Sequence, residues 1–154
     1  FDNSNKKDEK WYINTNQSYD FDGNEVTASY GTATPKAHAD TLWTAQDETD
    51  GKGTEGEVAT RGLKYNLIKD LKSQVSNELA KTDWYITRNT EKSTAIPSAI
   101  STHRDAVRTK QASMETAITN ASNTPALETL YTYTTDSDGV QQPRPLGELP
   151  TLES

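Results

Sequence analysis

Two periodicities divide the chain. In 11–31, Tyr19 and Phe21 lie two apart, as do Val26, Ala28 and Tyr30, with Asp22-Gly23-Asn24 between the two sets. Alternation around Asp-Gly predicts a β-hairpin, since strand side chains repeat with period two and Asp-Gly suits a tight turn. One face of that hairpin is aromatic: Tyr19, Phe21 and Tyr30 would share it. Two strands alone are marginal in water, so this face predicts a cover, either the chain's helices or a neighbouring chain.

Downstream the period lengthens. Leu63, Leu67, Ile68, Leu71, Val75 and Leu79 keep one helical face apolar and predict a helix over 61–82. Ile100, His103, Val107, Met114 and Ile118 form a second stripe over 97–122, with Pro97 suited to the first turn. Ala106, Ala117 and Ala121 there predict close approach of a neighbour. "TPALETLY" (124–131) predicts a short third helix capped by Thr124 with Pro125 at its start. Between the β and helical segments, Gly51, Gly53 and Gly56 among acidic residues predict an exposed loop. The tail from Gln141 to Ser154 carries three prolines and predicts an extended, mobile segment unless bound.

The expected fold class is therefore α+β. An N-terminal β-hairpin region precedes an antiparallel α-helical hairpin with a short third helix and an extended C-terminal tail. The expected divisions are 1–60, a β-rich arm with an acidic Gly-rich loop; 61–131, the helical hairpin; and 132–154, the Pro-rich tail.

Composition sharpens this picture. The 154 residues hold only 23 Leu, Ile, Val and Phe together, against 23 Thr. That is thin material for one compact core and predicts a small core with arms that order against neighbours. The net charge of -7 argues against a general nucleic-acid surface. No apolar run reaches the roughly 20 residues of a membrane span.

Candidate chemistry is sparse. Without cysteine there is no disulfide, thiolate metal site or Cys nucleophile. His38 and His103 fit no metal-ligand spacing, and His103 reads as a helix residue packed at its edge. No nucleophile elbow or Gly-rich phosphate loop appears. The acidic stretches 20–25, 47–53 and 136–139 set oxygen ligands beside glycine, yet none completes a calcium loop, and turn chemistry accounts for them. The expectation is a non-enzymatic protein with no metal and no cofactor.

That leaves "KTDWYITR" (81–88). Its Trp84 and Tyr85 fall in what reads as a connector between two helices, followed by Arg88. Folded over the helix ends, Trp84 and Tyr85 would seal them or serve as an interface anchor. A buried Trp84 would cost roughly 3–5 kcal/mol on truncation to Ala. Arg104 and Arg108, four apart on one face, would pair with an acidic patch on a partner or simply stay solvated.

Asp83, Trp84, Tyr85, Arg88, Ile96, Pro97, Arg104, Val107 and Arg108 together resemble the phage tail assembly chaperone or tail-fibre assembly-like domain. The form is most similar to that in virion structural proteins of marine cyanophages. The resemblance covers about 61–131; the β-rich start and Pro-rich end lie outside it. It implies a structural virion protein of a bacteriophage tail, as a baseplate, tail or fibre-attachment component, or else a non-virion assembly chaperone. It further implies other tail or fibre proteins as partners, several copies in a symmetric assembly, synthesis in the host cytoplasm, and no nucleic acid or membrane contact.

Overall fold

The computed structural model of the chain describes residues 5–152. It mixes helices with small antiparallel sheets of two strands each, an α+β architecture. The chain divides into two compact units: Phe1–Leu63 with Ser122–Glu128, and Lys64–Ala121 with Thr129–Ser154. This differs from the expected division chiefly because 122–128 joins the first unit and the tail joins the helices.

In the first unit, β1 (Tyr12–Ile13) pairs with β4 (Thr34–Pro35), and β2 (Ser18–Phe21) pairs with β3 (Val26–Ser29). The β2–β3 hairpin has the expected place, with Phe21 opposite Val26 and Tyr19 opposite Ala28. Asp22 builds its turn: Oδ1 accepts from the Asn24 and Glu25 amides, both at 2.8 Å. β5 (Thr41–Leu42) pairs with β6 (Val58–Thr60) around α1 (Ala45–Thr49), so the expected acidic loop contains a helical turn. A capping box explains it: the Thr44 hydroxyl accepts from the Asp47 amide while the Asp47 carboxylate accepts from the Thr44 amide.

The unit's apolar interior is made by Trp11, Tyr12, Ala28 and Leu127. Leu127 comes from α5 (Thr124–Tyr131), whose bounds match the expectation. The cap does not. Asn123 Oδ1 accepts from the Ala126 amide at 2.9 Å, while buried Thr124 donates to the Lys36 carbonyl at 2.6 Å. Tyr12 adds a bond from its hydroxyl to Glu128 Oε2 at 2.7 Å. Just before the next helix, Gly62 packs so closely on the Ala39 carbonyl that a Cβ would overlap it, so only glycine fits there.

The second unit is built on α2 (Leu63–Ala80, within it from Lys64), α3 (Asp83–Lys92) and α4 (Ser98–Asn120). Leu67, Leu71 and Val75 of α2 are buried, as are Ile100, Val107, Met114 and Ile118 of α4. Leu79 is only half-buried and Glu78 takes the buried position; Ala106 is exposed, so it mediates no close approach. Pro97 is the residue before α4, with ψ 138, and its carbonyl accepts from the Ile100 and Ser101 amides. Lys64, near the start of α2, donates to the Thr119 carbonyl near the end of α4. Arg104, near the start of α4, reaches Leu79 near the end of α2.

The C-terminal segment departs from the extended tail expected of it. β7 (Thr134–Thr135) pairs with β8 (Gln141–Gln142) across a turn in which Asp136 Oδ1 accepts from the Asp138 and Val140 amides. Beyond it, Leu146 is buried and its amide donates to the Leu130 carbonyl at 3.0 Å. Arg144 lies over the rings of Tyr131 and Tyr133 and pairs with Glu148. One buried leucine, one stacked guanidinium and an Asp turn are enough to fold these prolines back.

Candidate protein interaction surfaces

The expected connector after α2 is a helix. Nothing in 83–92 breaks one: there is no Gly or Pro, and Asp83 in the first turn and Lys92 in the last complement the helix dipole. The charge pattern was the available signal, masked by the aromatic cluster. α3 ends at Ser93 in the left-handed conformation (φ 54), and Asn89 Nδ2 caps onto the Thr94 carbonyl at 2.8 Å. Ile96, next to Pro97, is biased to extended backbone, which separates α3 from α4.

Trp84 therefore does not seal a helix end. It is 51% exposed, and no residue of α3 is buried. Its ring lies 3.8 Å from that of Tyr85, centroid to centroid. Because 84 and 88 are one turn apart, the Arg88 guanidinium lies over both rings, 4.8 Å from Trp84 and 5.6 Å from Tyr85. Arg88 Nε is out of solvent and has no hydrogen-bond acceptor among the described residues. Ile86 is also exposed, beside a cavity of about 270 Å³ shared with Ile96, Ser101, Arg104, Asp105 and Arg108.

The buried residue at that end of α2 is Thr82, 1% exposed, and its partner is Arg104. Arg104 Nη1 donates to the Leu79 carbonyl (2.8 Å), Thr82 Oγ1 (2.7 Å) and Asp83 Oδ1 (2.8 Å). A helix C-terminus leaves carbonyls without intrahelical donors, and a guanidinium is the side chain best suited to gather several acceptors. Arg104 is thus an internal clamp rather than half of a cationic pair facing a partner. Arg108 stays exposed, 3.3 Å from Asp105. Sequence reading missed Thr82 because nothing marks a lone threonine as buried.

His103 is buried rather than edge-packed, with Nε2 3.3 Å from Glu78 Oε1. The hydrogen bond from Lys81 holds the Glu78 carboxyl below its ordinary value, against the opposing pull of burial.

The hairpin gives the other surface. Tyr19 and Phe21 are 61% and 63% exposed. Tyr30 differs: its backbone bonds the Asn5 side chain twice and its hydroxyl accepts from Gln17, leaving it half-buried. Asp20, Asp22 and Glu25 put three carboxylates on this hairpin, and residues 18–29 contain no Lys or Arg.

In each acidic stretch one aspartate, Asp22, Asp47 or Asp136, turns its carboxylate onto backbone amides of its own turn. Asp47, held to about 2 first by the Thr44 hydroxyl and then by the Thr44 amide and Lys52, is the clearest case. Among the described residues no group of three or more His, Cys, Asp or Glu is arranged to hold a metal ion. Nor is any described helix long and apolar enough to cross a membrane. No protein-family model, curated protein or solved structure matches the chain.

Proposed function

We propose that the chain is a structural protein of a bacteriophage tail, a baseplate, tail or fibre-attachment component that works through protein–protein interfaces. It would be made in the bacterial host cytoplasm and remain in the virion in several copies. The observation that carries the interface part is the exposure of large aromatic side chains on two separate elements: Tyr19 and Phe21 on the hairpin, Trp84 on a helix without a buried residue. Exposed aromatics on ordered elements are costly in solution and typical of interface anchors. The phage context rests on the resemblance over 61–131, carried by Asp83, Trp84, Tyr85, Arg88, Ile96, Pro97, Arg104, Val107 and Arg108.

In this reading α2 and α4 form the antiparallel helical hairpin of that domain. Support comes from Lys64 meeting Thr119 at one end and Arg104 meeting Leu79 at the other. The partners are other tail or fibre proteins, with no nucleic acid or membrane contact, no cofactor and no catalytic step. A non-virion assembly chaperone is the second reading, favoured by the chaperone-like pattern of the helical part. Mass spectrometry of purified virions separates the two. Stoichiometric presence of the chain is the expected result, and its absence from virions would transfer the assignment to the chaperone.

A further inference from the structure

We infer that copies of this chain join head to tail, the β2–β3 hairpin of one copy docking its tip on the Trp84–Arg88 face of α3 in the next. The inference rests on the proposed multi-copy assembly, not on its phage setting. α3 has ten residues, too few for a stable isolated helix, and it buries no side chain in its own chain. Whatever covers it must offer an apolar group to Trp84 and a carboxylate to Arg88. The Arg88 guanidinium is held over two rings and makes no ion pair among the described residues. Lys92, two turns from Trp84, adds a second cation to this face, against one acid, Glu91.

The hairpin has the complementary chemistry. Phe21 stands exposed at the end of β2, beside a turn that carries Asp22 and Glu25. Asp22 is occupied by its own turn, whereas the Glu25 carboxylate makes no ion pair or hydrogen bond among the described residues. An aromatic–acidic tip meeting an aromatic–cationic helix face matches in both polarity and charge. The two surfaces differ, so each copy offers one of each and the contact is heterologous, repeating from copy to copy. A single contact of this size is smaller than a standard interface, so it is weak alone and gains strength by repetition.

Sedimentation of the purified full chain tests this. Wild type should associate beyond a dimer as concentration rises. Glu25→Arg alone and Arg88→Glu alone should each weaken association at least about tenfold, equivalent to about 1.4 kcal/mol. An equimolar mixture should recover association, because the intact hairpin tip of one variant meets the intact helix face of the other and the two reversed charges meet each other. Wild type that stays monomeric at the highest concentration, or a mixture no better than either variant while wild type associates, would overturn the inference. Should a charge variant misfold, the cysteine-free background supplies a second route: Glu25→Cys mixed with Arg88→Cys should crosslink across the two variants under oxidising conditions. Crosslinking only within each variant would overturn it. Absence of the chain from virions would remove the tail reading and leave this contact standing.

Discussion

Replacing Arg104 with Met tests the clamp at the end of α2 most sharply. The guanidinium is 7% exposed, and one nitrogen serves the Leu79 carbonyl, Thr82 Oγ1 and Asp83 Oδ1. Because all three bonds share Nη1, they do not add as independent contributions. Methionine keeps the apolar stem, so the loss isolates the polar head. It leaves the Leu79 carbonyl only the neutral Thr82 donors and takes the charged donor away from a largely buried site, a change worth about 1.5–3 kcal/mol. Asp83 contributes little of this, since its side chain is 60% exposed and exposed pairs contribute at most about 1 kcal/mol. The expected order is therefore Arg104→Met worse than Asp83→Asn, with Arg104→Lys between them because the lysine ammonium falls one bond short of the Nη1 position on which the three acceptors converge. Urea unfolding of the full chain, followed by far-UV circular dichroism of the helices, measures this. Thermal midpoints should fall by roughly 3–12 °C for Arg104→Met at 2–4 °C per kcal/mol. If Arg104→Met unfolds within about 1 kcal/mol of wild type, or if Asp83→Asn costs as much, the clamp account is wrong.

Three further outcomes follow from the same contacts. Trp84→Ala should change stability by less than about 1 kcal/mol, because the side chain is 51% exposed, whereas Ile118→Ala, at a position with no exposure, should cost about 2–5 kcal/mol; parallel denaturant titrations would expose a reversal. Glu78 has a depressed folded-state pKa, so its contribution is fully present above the ordinary 4.5 and is lost as pH falls through the folded value. Stability of Glu78→Gln measured from neutral to acid pH should show a shallower decline than wild type, and an identical slope would contradict this. Asp47 should titrate near 2 by NMR, with its stabilising effect present above 3.8 and fading as pH drops toward 2. In Thr44→Ala its pKa should rise toward the ordinary value, since the hydroxyl hydrogen bond that lowers it most is gone.

Much of the secondary structure was legible in the chain because it depends on local rules. Asp22-Gly23 between alternating residues specifies a hairpin, and the register then places Tyr19 and Phe21 on one face without reference to anything distant. The stripes of α2 and α4 are equally local, as is Pro125 at the start of α5. Tertiary structure decided what those faces meet. Arg104 looks in sequence like any surface arginine; only the approach of the α2 end turns it into a buried clamp, because three acceptors separated from it by 21 to 25 residues must converge on one nitrogen. Trp84 looks like core, since large aromatics usually bury, yet α3 continues as a helix where a loop could have folded it inward. Leu146 shows the reverse: one leucine among prolines carries no pattern, and its burial follows from the Leu130 carbonyl and the Tyr131–Arg144 stack waiting for it. Period and turn chemistry are properties of neighbours in sequence; burial and hydrogen-bond partnership are properties of neighbours in space, and in this chain the two coincide along the helical stripes and part at the helix ends.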